Sequence, residues 1–570
     1  MSSPSQVRSA ASLPRDAKTK TAASGRGRQV RRDGHVLAID VGTGSARAAL
    51  FDATGHALAR ASHPILLERP APDHAEQSSD DIWQAICTAV RAARAEAKVP
   101  AESVIGLSVD ATCSLVALDD AGQPASVSVG GDDRWNVVVW LDHRAVAEAE
   151  EITATQHRVL SYIGGVMSLE MEIPKLMWLK RQLPAQWRRY GRLLDLADFL
   201  VWRATGIDAR SECTLACKWT YLAHERPGWQ ADFLHRVGLA DLKRRGRLPD
   251  RAKPIGHPIG KLTAAAASEL GLSAECTVGV GLIDAHAGAL GALAGEIAGD
   301  SLDRRIAMIA GTSSCHMALS HEPRFVPGVW GPYFGAVAPG LWLNEGGQSA
   351  SGALLDHLLN WTAEGRRLGT RGHDVVIKRI GELRAIEGAE FARDLHLLPD
   401  FHGNRSPLAD PKPRGVISGL ALDGSLDGVA RLYYAGAVGI ALGTRHILDR
   451  LGEHGYRADH LHLTGGHVHN PLLLELYADA TGCTVVLGEE EDGVLLGTAM
   501  VAAVAAGLYR SLPDAASAMG RAGRTIVPSA EMQPHYDARY RTYLAMEDQS
   551  RALEDIMASR RPRRSKRTKS

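Results

Sequence analysis

The sequence predicts an α/β protein of two lobes with a cleft between them. Three observations carry this. A short residue pattern occurs twice at domain spacing. Strand-like and helix-like stretches alternate along the chain. A length of 570 residues accommodates two domains of ordinary size. The composition agrees, since 45% apolar and 23% charged residues are usual for a globular chain.

The repeated pattern is the first element to justify. Residues 37–52 read Leu-Ala-Ile-Asp-Val-Gly-Thr-Gly-Ser-Ala-Arg-Ala-Ala-Leu-Phe-Asp, and residues 306–319 read Ile-Ala-Met-Ile-Ala-Gly-Thr-Ser-Ser-Cys-His-Met-Ala-Leu. Aligning Gly42 with Gly311, 269 residues later, places Thr43 on Thr312, Ser45 on Ser314 and Leu50 on Leu319. Each copy is an apolar run, a Gly-Thr turn and a second apolar run, which predicts a β-hairpin whose turn presents backbone N–H groups. Glycine lets a phosphate approach the backbone, and Thr and Ser add hydroxyl donors. Asp40 offers an oxygen ligand to Mg2+, held through water. Ile309 takes the aligned place in the second copy. An acid on one turn only suits two lobes gripping a magnesium nucleotide from unlike sides. Either hairpin alone reads as an ordinary tight turn; the pair in register resembles the actin-like ATPase (ribonuclease H-like) fold, which implies an active-site cleft between lobes.

The remaining elements follow in order. Strands are predicted over Val36–Val41 and Ala46–Phe51, then a helix over Asp81–Lys98 with Trp83, Ile86, Cys87 and Val90 on one face. Val104–Val109 reads as a buried strand leading into Asp110-Ala-Thr-Cys-Ser-Leu-Val116, and Val137–Leu141 leads into Asp142-His-Arg144. Residues 145–250 read mainly helical, as an insertion carrying substrate contacts, with Pro174 at a helix start. A Gly-punctuated strand over Val278–Ile283 ends at Asp284, and a small-residue helix follows over Ala285–Ala294. These elements divide the chain into a basic disordered tail (1–34), an N-terminal lobe (35–294), a C-terminal lobe (295–526) and a helical extension with a second basic tail (527–570). Gly291–Leu302 is the predicted hinge.

The formal net charge is zero, so the chain as a whole carries no electrostatic call to nucleic acid. Basic residues do cluster at both ends, which lack apolar periodicity and read as solvated tails. No stretch is long and apolar enough to span a membrane. The N-terminus lacks the apolar core of a secretory signal, although its Ser/Arg-rich, acid-poor composition leaves an organellar transit peptide open. The seven cysteines are scattered, and Cys213 with Cys217 finds no second pair to complete a zinc site. They read as reduced core thiols of a cytoplasmic protein.

Further motifs carry candidate chemistry. Gly281-Leu-Ile-Asp284-Ala-His-Ala-Gly288 puts a carboxylate at a strand-to-helix junction, where it also suits a helix N-cap. Asn344-Glu345-Gly-Gly-Gln348-Ser-Ala-Ser-Gly352 sets an acid beside a Gly-rich turn opening a helix. In His462-Leu-Thr-Gly465-Gly466-His-Val-His-Asn470-Pro471, two glycines let an adenine or ribose lie on bare backbone. With Glu76-Gln77, Trp140-Leu-Asp-His-Arg144, Pro174-Lys-Leu-Met-Trp178, Gly403-Asn-Arg-Ser-Pro407 and Leu496-Gly-Thr-Ala499, in this order and spacing, the chain from about Val36 to about Ile526 resembles the FGGY family of carbohydrate kinases. It looks most like the ribulokinases. Lys218 in Ala216-Cys-Lys-Trp219 matches a sugar-binding lysine of that group, and Glu345 its sugar-binding acid. Thr112-Cys-Ser-Leu-Val116 resembles the D-ribulokinase motif. Glu172, Gly436 and Glu475 depart from the family's usual residues.

The resemblance implies ATP as phosphoryl donor, Mg2+, and transfer to the C5 hydroxyl of a ketopentose, D-ribulose first, with L-ribulose, ribitol and xylulose as alternatives. It implies Asp284 as general base and Asp40 as the magnesium ligand. Gly42, Thr43, Gly44 and Ser45 with Gly311, Thr312 and Ser313 would steady the phosphates, and Gly465, Gly466 and Asn470 would hold adenosine. Thr112, Cys113, Ser114, Asp142, Lys218, Asp284 and Glu345 are the sugar-contact candidates. An internal salt bridge is the other reading of Asp142 and Arg144, a solvated helix lysine that of Lys218, and a packed small residue that of Cys113. No specific nucleic acid or membrane is expected as partner, and a homodimer is the family's habit. An actin-like ATPase without a sugar substrate would need a further peptide-binding domain; a non-catalytic regulator would need a DNA-binding module or a lost base.

Overall fold

The computed structural model describes residues 34–299 and 301–559. The basic tails expected at the two ends, Gly34 apart, lie outside the described residues. Two seven-stranded sheets dominate. In the first the order is Ala57–Pro64, Ser45–Phe51, His35–Val41, Val104–Ala111, Thr277–Gly279, Pro258–Lys261, with Leu282–Ile283 also paired to Val104–Ala111. The second runs Trp330–Phe334, Trp342–Gln348, Ser314–Ser320, Arg305–Ala310, His460–Thr464, Thr484–Gly488, Ala522–Ile526. Both contain the same succession: two antiparallel pairings, two parallel ones, then an antiparallel edge. The two-lobed α/β fold expected from the repeated hairpin is therefore present.

The central strands form where the chain is apolar without alternation. Val36 to Val41 are all buried, as a strand covered on both faces requires. The helix expected over 81–98 spans Ser79–Ala97, capped by the Ser78 side chain on the N–H of Asp81 and ended by Lys98 in the left-handed region. Its buried stripe of Ile82, Trp83, Ile86 and Val90 packs on the first sheet.

Two helices join the lobes. Asp284–Leu293 leaves the first sheet and packs against the second, where Gly288 passes beside Ile309. Gly493–Ala506 leaves the second sheet and packs against the first, where Gly106 passes beside Ala502 and Ala506. They cross at glycines. A Cβ on Gly291 would stand 1.9 Å from the Gly493 carbonyl, and one on Gly497 2.0 Å from that of Ala287. Only hydrogen fits there.

Several expectations are corrected. The second hairpin turn is one residue shorter than the first. Val41 pairs with Ala46, whereas Ala310 pairs with Ser314, so past the turn Cys315, not His316, corresponds to Arg47. The strand expected over Val137–Leu141 is confined to Val137–Val138. The helical 145–250 region contains the strand Tyr190–Asp195, paired with Leu115–Asp119. The strand before Asp284 breaks at Val280–Gly281, where Gly281 lies against the Ala197 carbonyl. Glu345-Gly-Gly is not a turn but the middle of the strand Trp342–Gln348; the glycines let it pass beneath Ile447 and Arg405.

Candidate active site

Parallel strands present their carboxyl ends to one place. Asp40 is level with Asp110 and Leu282 with Asp110 in the first sheet, so Val41, Ala111 and Ile283 end side by side. The residues just beyond are the Gly42–Ser45 turn, Thr112 and Asp284. Thr112 N–H donates to the Val41 carbonyl at 2.9 Å. In the second sheet Ile309 is level with Thr464, which brings the Gly311 and Gly465 turns together. A Cβ on Gly465, whose φ is +92°, would meet the Ala310 carbonyl at 2.6 Å. Clefts at the carboxyl ends of parallel strands are where α/β proteins bind ligands.

The Gly-Thr turns differ in environment. Gly42 N–H closes the first turn on the Ser45 carbonyl at 3.0 Å, and Gly311 N–H closes the second on that of Ser313 at 2.8 Å. A Cβ on Gly44 or on Gly311 would meet nothing within 4 Å, so these positions face open space. Thr43 is tied down: Gln77 Nε2 donates to its carbonyl at 2.8 Å and Trp140 Nε1 to its hydroxyl at 2.9 Å. Trp140 N–H in turn donates to Ser114 Oγ at 3.2 Å, and Ser114 shares a 3.2 Å hydroxyl contact with Thr112. The candidate sugar motif is thereby braced against the candidate phosphate turn. Thr312 and Ser313 edge the second turn, and the Thr312 carbonyl accepts from Ser351 and Ala353 N–H.

Asp40 is bonded by Arg47 Nε, whose Nη1 reaches Asp492 at 2.6 Å in the other lobe. Asp110 accepts from Thr498 of the second cross helix, and its other oxygen meets no hydrogen-bond donor among the described residues. Burial and the neighbouring Asp40 hold the Asp110 carboxyl well above its usual range. No group of three or more His, Cys, Asp or Glu side chains among the described residues is arranged to enclose a metal. An ion held chiefly by phosphates and water, with one or two carboxylates nearby, suits this donor set, and that is how Mg2+ is bound at phosphoryl-transfer sites.

Asp284 is the first residue of its helix rather than the cap, and its Oδ1 accepts from Ala285 N–H at 2.7 Å. It is half-buried; burial and the Asp40 charge push its carboxyl up to about 6. Lys218 and Glu345 are both buried, so Lys218 is no solvated helix lysine. Burial opposes both charges, and the surrounding groups prevail over it: Cys113, Glu345 and Glu170 raise Lys218, while Lys218, His286 and Arg405 hold Glu345 well below the usual carboxylate range. Cys113 is a packed thiol, raised by burial.

Two candidates have other occupations. Asp142 takes Arg144 N–H and Nε on Oδ1, and Arg144 Nη2 and Ala75 N–H on Oδ2. The internal salt bridge is what the structure contains, and it extends through Arg144 to Glu76 at 2.9 Å. Asn470 caps the helix Pro471–Thr481 by accepting from Leu473 N–H, and its amide reaches Tyr433 at 3.3 Å.

Sequence reasoning missed several residues here. Trp330 lies between two cations, with Lys218 Nζ 4.3 Å and Arg405 Cζ 4.1 Å from its ring centroid. Arg405 Nη2 donates to Glu345 and approaches Glu170 at 4.0 Å. Arg405 lies in the Gly403–Pro407 motif, which pointed to it; nothing in the sequence paired it with Glu345. Asp110 had a signal too, since Val-Asp at that strand end mirrors Ile39-Asp40.

The N-terminal domain of the FGGY family of carbohydrate kinases matches residues 35–291, and its C-terminal domain matches residues 306–506. The chain belongs to this family. It is 44% identical to an FGGY carbohydrate kinase domain-containing protein of Xenopus laevis, over 92% of this chain and 98% of that one. It is 37% identical to a D-ribulokinase of Saccharomyces cerevisiae, over 82% of this chain and 71% of the relative. The fold is similar to a xylulose kinase from Rhodospirillum rubrum, with TM-score 0.74, 22% identity and coverage of 91% and 99% of the two chains. At that identity the likeness speaks for the fold alone. The FGGY chain is thus a sugar kinase, and among the described residues no helix is long and apolar enough to cross a membrane.

Proposed function

We propose that this FGGY kinase transfers the γ-phosphoryl group of ATP to the C5 hydroxyl of a ketopentose, D-ribulose. The observation that carries the reading is the position of Asp284, at a strand end beside Thr112, within the field of Asp40 on one side and of Lys218 on the other. Phosphoryl transfer asks a protein for in-line positioning and charge stabilisation more than for covalent chemistry. Asp284 aligns the sugar hydroxyl and accepts its proton. Lys218 and Glu345 offer a buried donor and acceptor to sugar hydroxyls, whose burial without partners is costly. Thr112, Cys113 and Ser114 line the same end of the first sheet. Backbone and hydroxyl groups of Thr43, Gly44 and Ser45, with Gly311, Thr312 and Ser313, steady the phosphates, and Gly465 and Gly466 give adenosine bare backbone. Asp40 would hold Mg2+ through water, and the bound ion would supply charge neutralisation for the transferring group. Asp142 serves through its brace with Arg144.

D-ribulose is preferred because of Thr112-Cys-Ser-Leu-Val116 and because the yeast relative is named a D-ribulokinase. The test is ADP release from ATP with D-ribulose, L-ribulose, D-xylulose and ribitol, with Asp284→Asn alongside. The expected result is a strong preference for D-ribulose, falling by at least about 10³-fold in the variant. Preference for another sugar keeps the kinase and discards D-ribulose. Undiminished turnover in the variant discards Asp284 as base.

A further inference from the structure

A cysteine and a histidine stand fully buried behind the site, outside the proposed chemistry. Cys213 is on the short helix Glu212–Lys218 that also carries Lys218, and His286 is on the helix that Asp284 begins. Cys213 Sγ lies 3.0 Å from His286 Nδ1. The same sulfur accepts Ile283 N–H at 3.4 Å, and Cys217 stands one turn along the same helix. Burial alone would keep the thiol protonated, but Cys217 and His286 bring Cys213 down to about 5. Burial would likewise strip His286, but Cys213 and Glu345 push it up to about 9. The other ring nitrogen, Nε2, is buried, lies 3.4 Å from Glu345 Oε2 and makes no hydrogen bond among the described residues. Arg405 holds the second Glu345 oxygen.

We propose that Cys213 and His286 are a positioning pair: the sulfur fixes the ring so that Nε2–H anchors Glu345 Oε2, and the anchored carboxylate orients the sugar relative to Asp284. The inference rests on the sugar-kinase reading and on Glu345 as a sugar contact. It does not depend on the proton's side of the pair. A thiolate facing an imidazolium, and a thiol donating to Nδ1, both leave a hydrogen on Nε2, the ring nitrogen nearest Glu345. The gap of 3.4 Å is long for a hydrogen bond. Such contacts shorten when substrate fills a site, and a sugar hydroxyl bonded to Glu345 supplies that force. Both residues are fully buried, and His286 Nε2 faces Glu345, which makes that carboxylate the route of their effect.

The experiment uses the full chain carrying His286→Ala, His286→Gln or Cys213→Ser beside the wild type. It reads KM for the preferred sugar, KM for ATP, kcat, direct sugar binding by calorimetry and the melting temperature. Glutamine restores an N–H near the place of Nε2. His286→Ala is expected to raise the sugar KM and Kd about tenfold or more while leaving the ATP KM within about twofold. His286→Gln recovers most of the loss, and Cys213→Ser falls between them. Equal sugar affinity in wild type, Ala and Gln proteins overturns the inference. So does a loss of melting temperature common to Ala and Gln with sugar affinity unchanged, which marks a structural pair only. If the Ala variant does not fold, unchanged sugar KM in both Gln and Ser variants overturns it equally. A wild type that takes up none of the sugars overturns the kinase reading and the inference with it; wild-type turnover with indifferent variants overturns the inference alone.

Discussion

At the scale of the residue, Asp284 combines a chemical asset with a cost to stability. Its carboxyl is pushed up to about 6, mainly by burial and then by Asp40. Below the ordinary carboxylate pKa, folded and unfolded chains are both protonated there and no penalty arises. As pH rises through about 6 the folded chain must carry the charge, and stability is lost. Asp284→Asn removes that penalty. Metal-free Asp284→Asn protein is therefore expected to melt above the wild type at pH 8, by on the order of 1–2 kcal/mol after allowing for partial exposure, with the gain vanishing near pH 4. Thermal melts across pH check this; a gain that grows toward acid contradicts it. Asp142 behaves oppositely. Asp142→Ala leaves Arg144 buried beside Glu76 without its main partner, and about 3–5 kcal/mol of destabilisation is expected in urea titration. Asp40, Asp284, Lys218 and Glu345 were legible in sequence because each sits in a motif of fixed spacing. Cys213 was not, and neither was the pairing of Arg405 with Glu345, because His286 and Glu345 reach these residues only through the fold.

At the scale of the element, the strand ends and the two crossing helices place everything else. The hairpins were readable because an apolar run, Gly-Thr and a second apolar run leave little choice of local structure. The one-residue difference between their turns was not, because a gapless alignment hides it. Glu345-Gly-Gly was misread as a turn because glycine also serves a strand that another element crosses closely. The family departures have local partners: Glu475 pairs with Arg384, Gly436 lies against Leu358, and Glu172 is buried 3.7 Å from Lys175. The crossing glycines give the test at this scale. Gly497→Ala forces its methyl into the Ala287 carbonyl. A loss of about 2–4 kcal/mol is expected in urea unfolding, with lower turnover even when folded, because the helix also carries Thr498 against Asp110. A neutral effect would mean that the helices do not cross so tightly.

At the scale of the molecule, the lobes already touch around the site: Arg47 with Asp492, Glu170 with Arg405, and the His143 and His402 rings 5.9 Å apart. Sugar binding between Lys218 and Glu345 is expected to draw the lobes together and exclude water, which limits ATP hydrolysis without sugar. Two lobes, their sheets and the cleft were foreseeable from the repeat alone; how the lobes grip each other was not, since each of these contacts joins residues far apart in sequence. The proposed reaction is transfer of phosphate from ATP to the sugar's C5 hydroxyl. Phosphorus-31 NMR of the products of ATP and D-ribulose tests it most directly. A phosphomonoester signal coupled to the two C5 protons is expected, formed with ADP and absent with Asp284→Asn. Inorganic phosphate alone, or an ester on another carbon, would contradict it.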